Sequence, residues 1–139
     1  MKRLTTLILA ALASVFLFTG LGAQETENKI NKKNLIIKEW NSDAKSKARV
    51  LDHKTTYNAD GKKLEEIEYA AGRQKWRKRY EYGADGKVSR ELVYDERNKL
   101  QRVKKFEYNE FGRKKTQYNY DAKGKLQTIK VFEYIAEDA

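Results

Sequence analysis

Between Leu35 and Tyr134 polar and apolar residues alternate in short runs, as in Arg73 to Tyr82 (RQKWRKRYEY) and Lys99 to Tyr108 (KLQRVKKFEY). A period of two is the mark of a strand that shows its alternate side chains to different surroundings. The runs predict six strands, at 62 to 69, 73 to 82, 87 to 94, 99 to 108, 113 to 120 and 125 to 134. Two more precede them, at 48 to 57 and from Leu35 to Trp40. Connections this short permit only antiparallel neighbours, so the expected fold is an up-and-down meander.

Tyrosine sets the rhythm. Tyr57, Tyr69, Tyr82, Tyr94, Tyr108, Tyr120 and Tyr134 stand 12, 13, 12, 14, 12 and 14 residues apart, and Tyr80 and Tyr118 each lie two residues before one of them. Turn residues follow, as in Tyr57-Asn58-Ala59-Asp60-Gly61, Tyr82-Gly83-Ala84-Asp85-Gly86 and Tyr120-Asp121-Ala122-Lys123-Gly124. A shorter turn runs from Tyr69 to Gly72, and Asn98 stands where the others have Gly. Gly, or Asn as its best substitute, suits a turn exit with positive φ.

If the longer turns keep like parity on one face and the Tyr69 to Gly72 turn switches it, one face gathers Leu51, Tyr57, Ile67, Trp76, Tyr80, Leu92, Phe106, Tyr118 and Tyr134. His53 falls on that side too, as a packed residue rather than a ligand. The other face is charged, with Val93, Val103, Ile129 and Val131 as misfits. The expected fold class is therefore all-β: an antiparallel meander of seven to eight strands in one open, twisted sheet, with a closed eight-stranded barrel as the alternative. Tyr favours the open sheet, since its ring packs while its hydroxyl reaches water.

Composition narrows the chemistry. The 139 residues hold no Cys, no Pro and one His, which excludes disulfides, thiolate metal sites and most His-based catalysis. Lys2 and Arg3 precede an uncharged, largely apolar stretch from Leu4 to Ala23, and a polar run follows from Gln24 to Asn34. That is the layout of a secretory signal. The expected organisation is a signal peptide at 1–23, a polar tail at 24–34, the repeat-built domain at 35–135 and a short tail at 136–139, with no membrane span after cleavage. Removing 1–23 leaves 28 basic and 20 acidic residues, a formal charge of +8. A secreted or periplasmic location disfavours nucleic acid as partner and favours envelope polymers.

The unit Tyr120-Asp121-Ala122-Lys123-Gly124-Lys125-Leu126, and with Asn for Gly the stretch Tyr94 to Leu100, resembles the YD repeat of Rhs-type cell-surface proteins. The likeness covers 57 to 134. It implies a β-hairpin array outside the cytoplasm. The chain is also similar in size, leader and repeat style to small secreted proteins of gut Bacteroides.

Surface charge offers the main candidate site. Lys75, Arg77 and Arg79 alternate onto one face of a strand that also holds Trp76 and Tyr80, and such a row can bind an anionic polymer or glycan. The competing role is a charged outer face that discourages aggregation. Ser residues lack a nucleophile-elbow context, Gly residues stand singly at turns, and adjacent acids such as Glu65 and Glu66 point to opposite faces. The reading is of a non-enzyme without metal or cofactor: a binding or structural module, alternatively a carbohydrate or anionic-polymer binder, alternatively a subunit that completes its aromatic face with another chain. A protein or cell-envelope glycan partner and self-association both fit it.

Overall fold

The computed structural model describes residues 29–137. The expected signal at 1–23, the first part of the polar tail and the last two residues lie outside them. The chain divides into two units, Met1–Ile30 and Asn31–Ala139, and every strand belongs to the second.

Eight strands follow one another: β1 (Ile36–Ser42), β2 (Arg49–Tyr57), β3 (Lys63–Ala70), β4 (Arg73–Tyr82), β5 (Val88–Tyr94), β6 (Leu100–Tyr108), β7 (Lys114–Asp121) and β8 (Leu126–Val131). They form one antiparallel sheet in sequence order, with no helix among the described residues. β1 and β8 are its edges and do not pair with each other, so the sheet is open and the barrel alternative falls. The last ladder ends at Val131, short of the expected Tyr134.

The turns repeat one device. Asn58 Oδ1 accepts from the backbone N–H of Asp60 and of Lys62 at 3.0 and 2.9 Å. Asp95, Asn109 and Asp121 repeat this with two N–H donors each. A short acidic or amide side chain thus closes the turn on its own backbone. The exit residues have positive φ, 76° at Gly86 and 67° at Asn98. The shorter turn places both Ala71 (φ 49°) and Gly72 (φ 75°) in the left-handed region, the conformation of a two-residue hairpin matched to strand twist.

The expected one-sided aromatic face is not what forms. Each longer Tyr-led turn is followed by a register shift of one residue, as between Glu81 and Tyr82 or between Glu107 and Tyr108. Such a bulge sets two residues of one strand against one of the other. Like parity holds at the turn itself, Tyr82 facing Val88, but reverses in the strands, where Tyr80 faces Glu91. In β3 and β4 it is kept, with Ile67 opposite Arg77. The rings therefore divide. Trp76, Tyr80 and Phe106 share one face with His53, Glu66, Glu68, Lys78, Glu91, Val93 and Lys104. Tyr118 and Tyr120 share the other with Ile67, Arg77, Arg79, Leu92, Val103 and Ile129. This reversal sets the misfits Val103, Ile129 and Val131 on the face of Tyr118 and Tyr120, and Val93 on the face of Trp76 and Phe106, where it alone of the four is buried.

Among the described residues no second layer covers either face of the sheet. Only Thr55, Ile67, Val93 and Phe106 are buried among the described residues. Cationic side chains do the roofing instead: Arg77 over Tyr94 at 4.3 Å, Lys114 over Phe106 at 4.4 Å, Arg49 over Trp40 at 4.7 Å and Lys78 over Trp76 at 5.4 Å. Long basic side chains lay apolar stems on a ring and keep the charge in water. The high content of Lys and Arg is in this respect part of the packing.

Candidate functional site

The five residues singled out from sequence all lie on β4, near the middle of the sheet, and the pleat separates them. Arg77 and Arg79 take one face, where Glu65 of β3 lies opposite Arg79 and meets Arg77 at 3.2 Å and Arg79 at 3.9 Å. Arg77 is stacked on Tyr94 and half-buried, and its Nε has no hydrogen-bond partner. Its guanidinium is engaged within the sheet, between Tyr94 and Glu65. Arg79 is about half exposed and Lys75 is exposed, so these two remain available to a ligand.

Trp76 and Tyr80 take the opposite face, within a polar network that sequence reasoning missed. His53 Nδ1 meets Glu68 at 2.7 Å, and its Nε2 lies 3.8 Å from Glu66. Glu66 also receives the Tyr80 hydroxyl and, at 2.9 Å, the Lys63 ammonium. Burial by itself would raise the Glu66 carboxyl, but the Tyr80 hydrogen bond and the Lys63 charge outweigh it and hold the group below the usual range. Burial pushes the Tyr80 phenol far above its ordinary value, reinforced by Glu66 and then by the charge of Glu91. Glu91 in turn sits between Lys78 at 3.4 Å and Lys104 at 4.0 Å. The His53 ring meets Trp76 edge-on, 6.2 Å between centroids. Cross-strand proximity of residues far apart in sequence makes this network, and it follows from the observed register of β2, β3 and β4.

Beside the network, Lys75, Trp76 and Lys78 line a shallow groove of about 320 Å³ with Val93, Asp95, Gln101 and Arg102. It joins an aromatic ring to cations, an acid and an amide. Gln101 Nε2 donates to Asp95 Oδ2 at 3.0 Å, and two backbone N–H groups hold the Asp95 carboxyl below its ordinary range. Among the described residues no group of three or more His, Asp or Glu is arranged to hold a metal ion. No described helix is long and apolar enough to cross a membrane.

No protein-family model matches the chain, and no curated protein does. Among solved structures it is similar to TarM, with TM-score 0.36 and 16% identity over 70% of this chain and 21% of that one. A complex of an S. aureus TarM mutant with fondaparinux, α-GlcNAc-glycerol and UDP gives TM-score 0.29 and 14% identity over 73% of this chain and 20% of that one. The chain thus spans about a fifth of those proteins. Scores this low assign neither fold nor activity.

Proposed function

We propose that the protein is an exported, non-catalytic β-sheet module whose surfaces bind a partner protein or a component of the cell envelope. The observation that carries this reading is the single layer itself: among the described residues nothing covers either face or either edge, and no described side chain is fully buried. Domains ordinarily bury an apolar face against a second layer; a sheet that does not is built to present surface. The polar network supports a non-catalytic role, because Glu65, Glu66 and Glu91 each lie in an ion pair, with Arg77, Lys63 and Lys78. The leader-like stretch Leu4 to Ala23 and the YD-like turns support export. Intact mass of the protein recovered from the periplasm or medium tests this: loss of 1–23 is expected, and full-length chain held in the cytoplasm overturns export.

A specific observation favours the glycan or anionic-polymer reading as the second one, namely the Trp76 groove with Lys75, Lys78 and Arg102 on its walls. Heparin chromatography probes it. Retention past physiological salt that drops when Lys75, Lys78 and Arg102 become Ala is the expected result. Early elution unchanged by those substitutions rules it out.

A further inference from the structure

We infer that the free edge of β8 is an acceptor for β1 of a second copy, so that the sheet continues head to tail from molecule to molecule.

The observation is an internal duplication that is both sequential and structural. Residues 99–108 (KLQRVKKFEY) and 125–134 (KLQTIKVFEY) agree at seven of ten positions, 26 residues apart. Their contacts are duplicated as well. Gln101 donates to Asp95 and Gln127 to Asp121, at 3.0 and 2.9 Å. The Tyr108 hydroxyl donates to the Val88 carbonyl at 2.7 Å, and that of Tyr134 to the Lys114 carbonyl at 2.8 Å. β8 is thus β6 over again. The far edge of β6 is covered by β7, while among the described residues no strand covers the equivalent edge of β8.

The occupant follows from the same period. Asp121 and Asp95, which close the turns after β7 and β5, are 26 residues apart, and Asp43, which closes the turn after β1, lies twice that distance before Asp95. β1 therefore stands in the repeat where β7 stands. Placing a second copy's β1 on β8 as β7 lies on β6 keeps the antiparallel alternation and fixes the register. Lys105 opposite Tyr118 becomes Val131 opposite Trp40 of the second copy, and Glu107 opposite Thr116 becomes Glu133 opposite its Lys38. Val131 is 67% and Trp40 45% exposed, an apolar pair open to solvent apart from Arg49 stacked on the Trp40 ring at 4.7 Å, and Glu133 with Lys38 is an opposite-charge pair. Lys130 falls diagonal to Glu39 of the second copy, within reach of a cross-strand ion pair. A strand edge with exposed Ile129 and Val131 and little charge is what proteins ordinarily guard against. Here its chemistry matches the other end of the same chain. Such a contact is heterologous, so each added copy presents a further free edge.

Sedimentation of the purified chain over a concentration series tests the inference. Oligomers that grow with concentration are expected, and a monomer at every concentration overturns it. Val131→Lys blocks one edge and Trp40→Lys the other. Each variant alone is expected to be monomeric, and their mixture to give one-to-one dimers that grow no further, because each contributes one intact edge. A Trp40→Lys protein that still dimerises points to β8 pairing with β8 and overturns the assignment, as does a mixture that stays monomeric. Should Trp40→Lys lose its strand circular dichroism, the charge pair decides. Lys38→Glu or Glu133→Lys alone weakens association roughly threefold or more, and the double reversal restores it; failure of the double to recover overturns the register.

Discussion

Residue by residue, the fold rests on side chains that satisfy backbone groups. Tyr82 donates to the Lys63 carbonyl at 2.5 Å, as Tyr108 and Tyr134 do to carbonyls one hairpin pair back. Tyr108→Phe keeps the ring and loses this bond; a loss of about 1 kcal/mol is expected in urea unfolding. Ala71 is the reverse case, a Cβ-bearing residue at φ 49° in a turn that favours Asn or Gly. Ala71→Asn is therefore expected to stabilise by roughly 0.5 kcal/mol or more, read as a raised urea midpoint. Tyrosine spacing was plain in the sequence. What each hydroxyl meets was not, because Val88 and Lys114 come beside their tyrosines only once a hairpin pair has folded back.

Among the elements, the hairpins recur as clasps. Lys62, just after one turn, reaches the next turn at the same end of the sheet, where it lies 5.4 Å over the Tyr82 ring and donates to the Gly86 carbonyl at 2.6 Å. Lys87 over Tyr108 and Arg113 over Tyr134 repeat the arrangement. Gly86 has φ 76°, and a Cβ there would meet the Lys62 ammonium. Gly86→Val is thus expected to cost more than about 1 kcal/mol, from strain at positive φ, together with loss of the clasp; an unchanged unfolding midpoint would refute the turn geometry. The strand limits were legible in the sequence to within a residue or two, apart from the end of β8. The facing was not. A bulge adds one residue after each longer turn, no residue type compels it, and one residue is enough to turn a whole strand over. For the same reason Lys75, Trp76, Arg77, Arg79 and Tyr80, neighbours in the chain, do not form one surface.

At the scale of the molecule, stability without a second layer draws on ionisation states. Burial raises the phenols of Tyr80, Tyr82 and Tyr108. A phenol whose value is raised on folding stabilises the fold below the unfolded value of about 10. That contribution is lost as pH climbs through the raised values, so tyrosinate absorbance is expected to lag about pH 10 and then appear together with loss of strand circular dichroism. Glu66 works on the acid side. Its lowered carboxyl stabilises above the ordinary range near 4.3 and ceases to as pH falls through the lower folded value, so Glu66→Gln is expected to flatten the acid limb of the stability profile. The repeat gives a further expectation. Deleting 83–108, one hairpin pair, joins Tyr82 to Asn109 in a turn of the same kind. A six-stranded sheet that unfolds cooperatively at lower denaturant is expected, since each pair contacts only its neighbours.

The amino-acid sequence alone determined an antiparallel meander of seven to eight strands, its preference for an open sheet and the position of every turn, because these depend on local chemistry: alternation, Tyr-led strand ends, and Gly or Asn where φ is positive. The tertiary structure alone decided which side each ring faces and that His53, Glu66, Glu68 and Tyr80 meet. Those outcomes rest on hydrogen-bond register between strands, a property of pairs that no single stretch of chain carries.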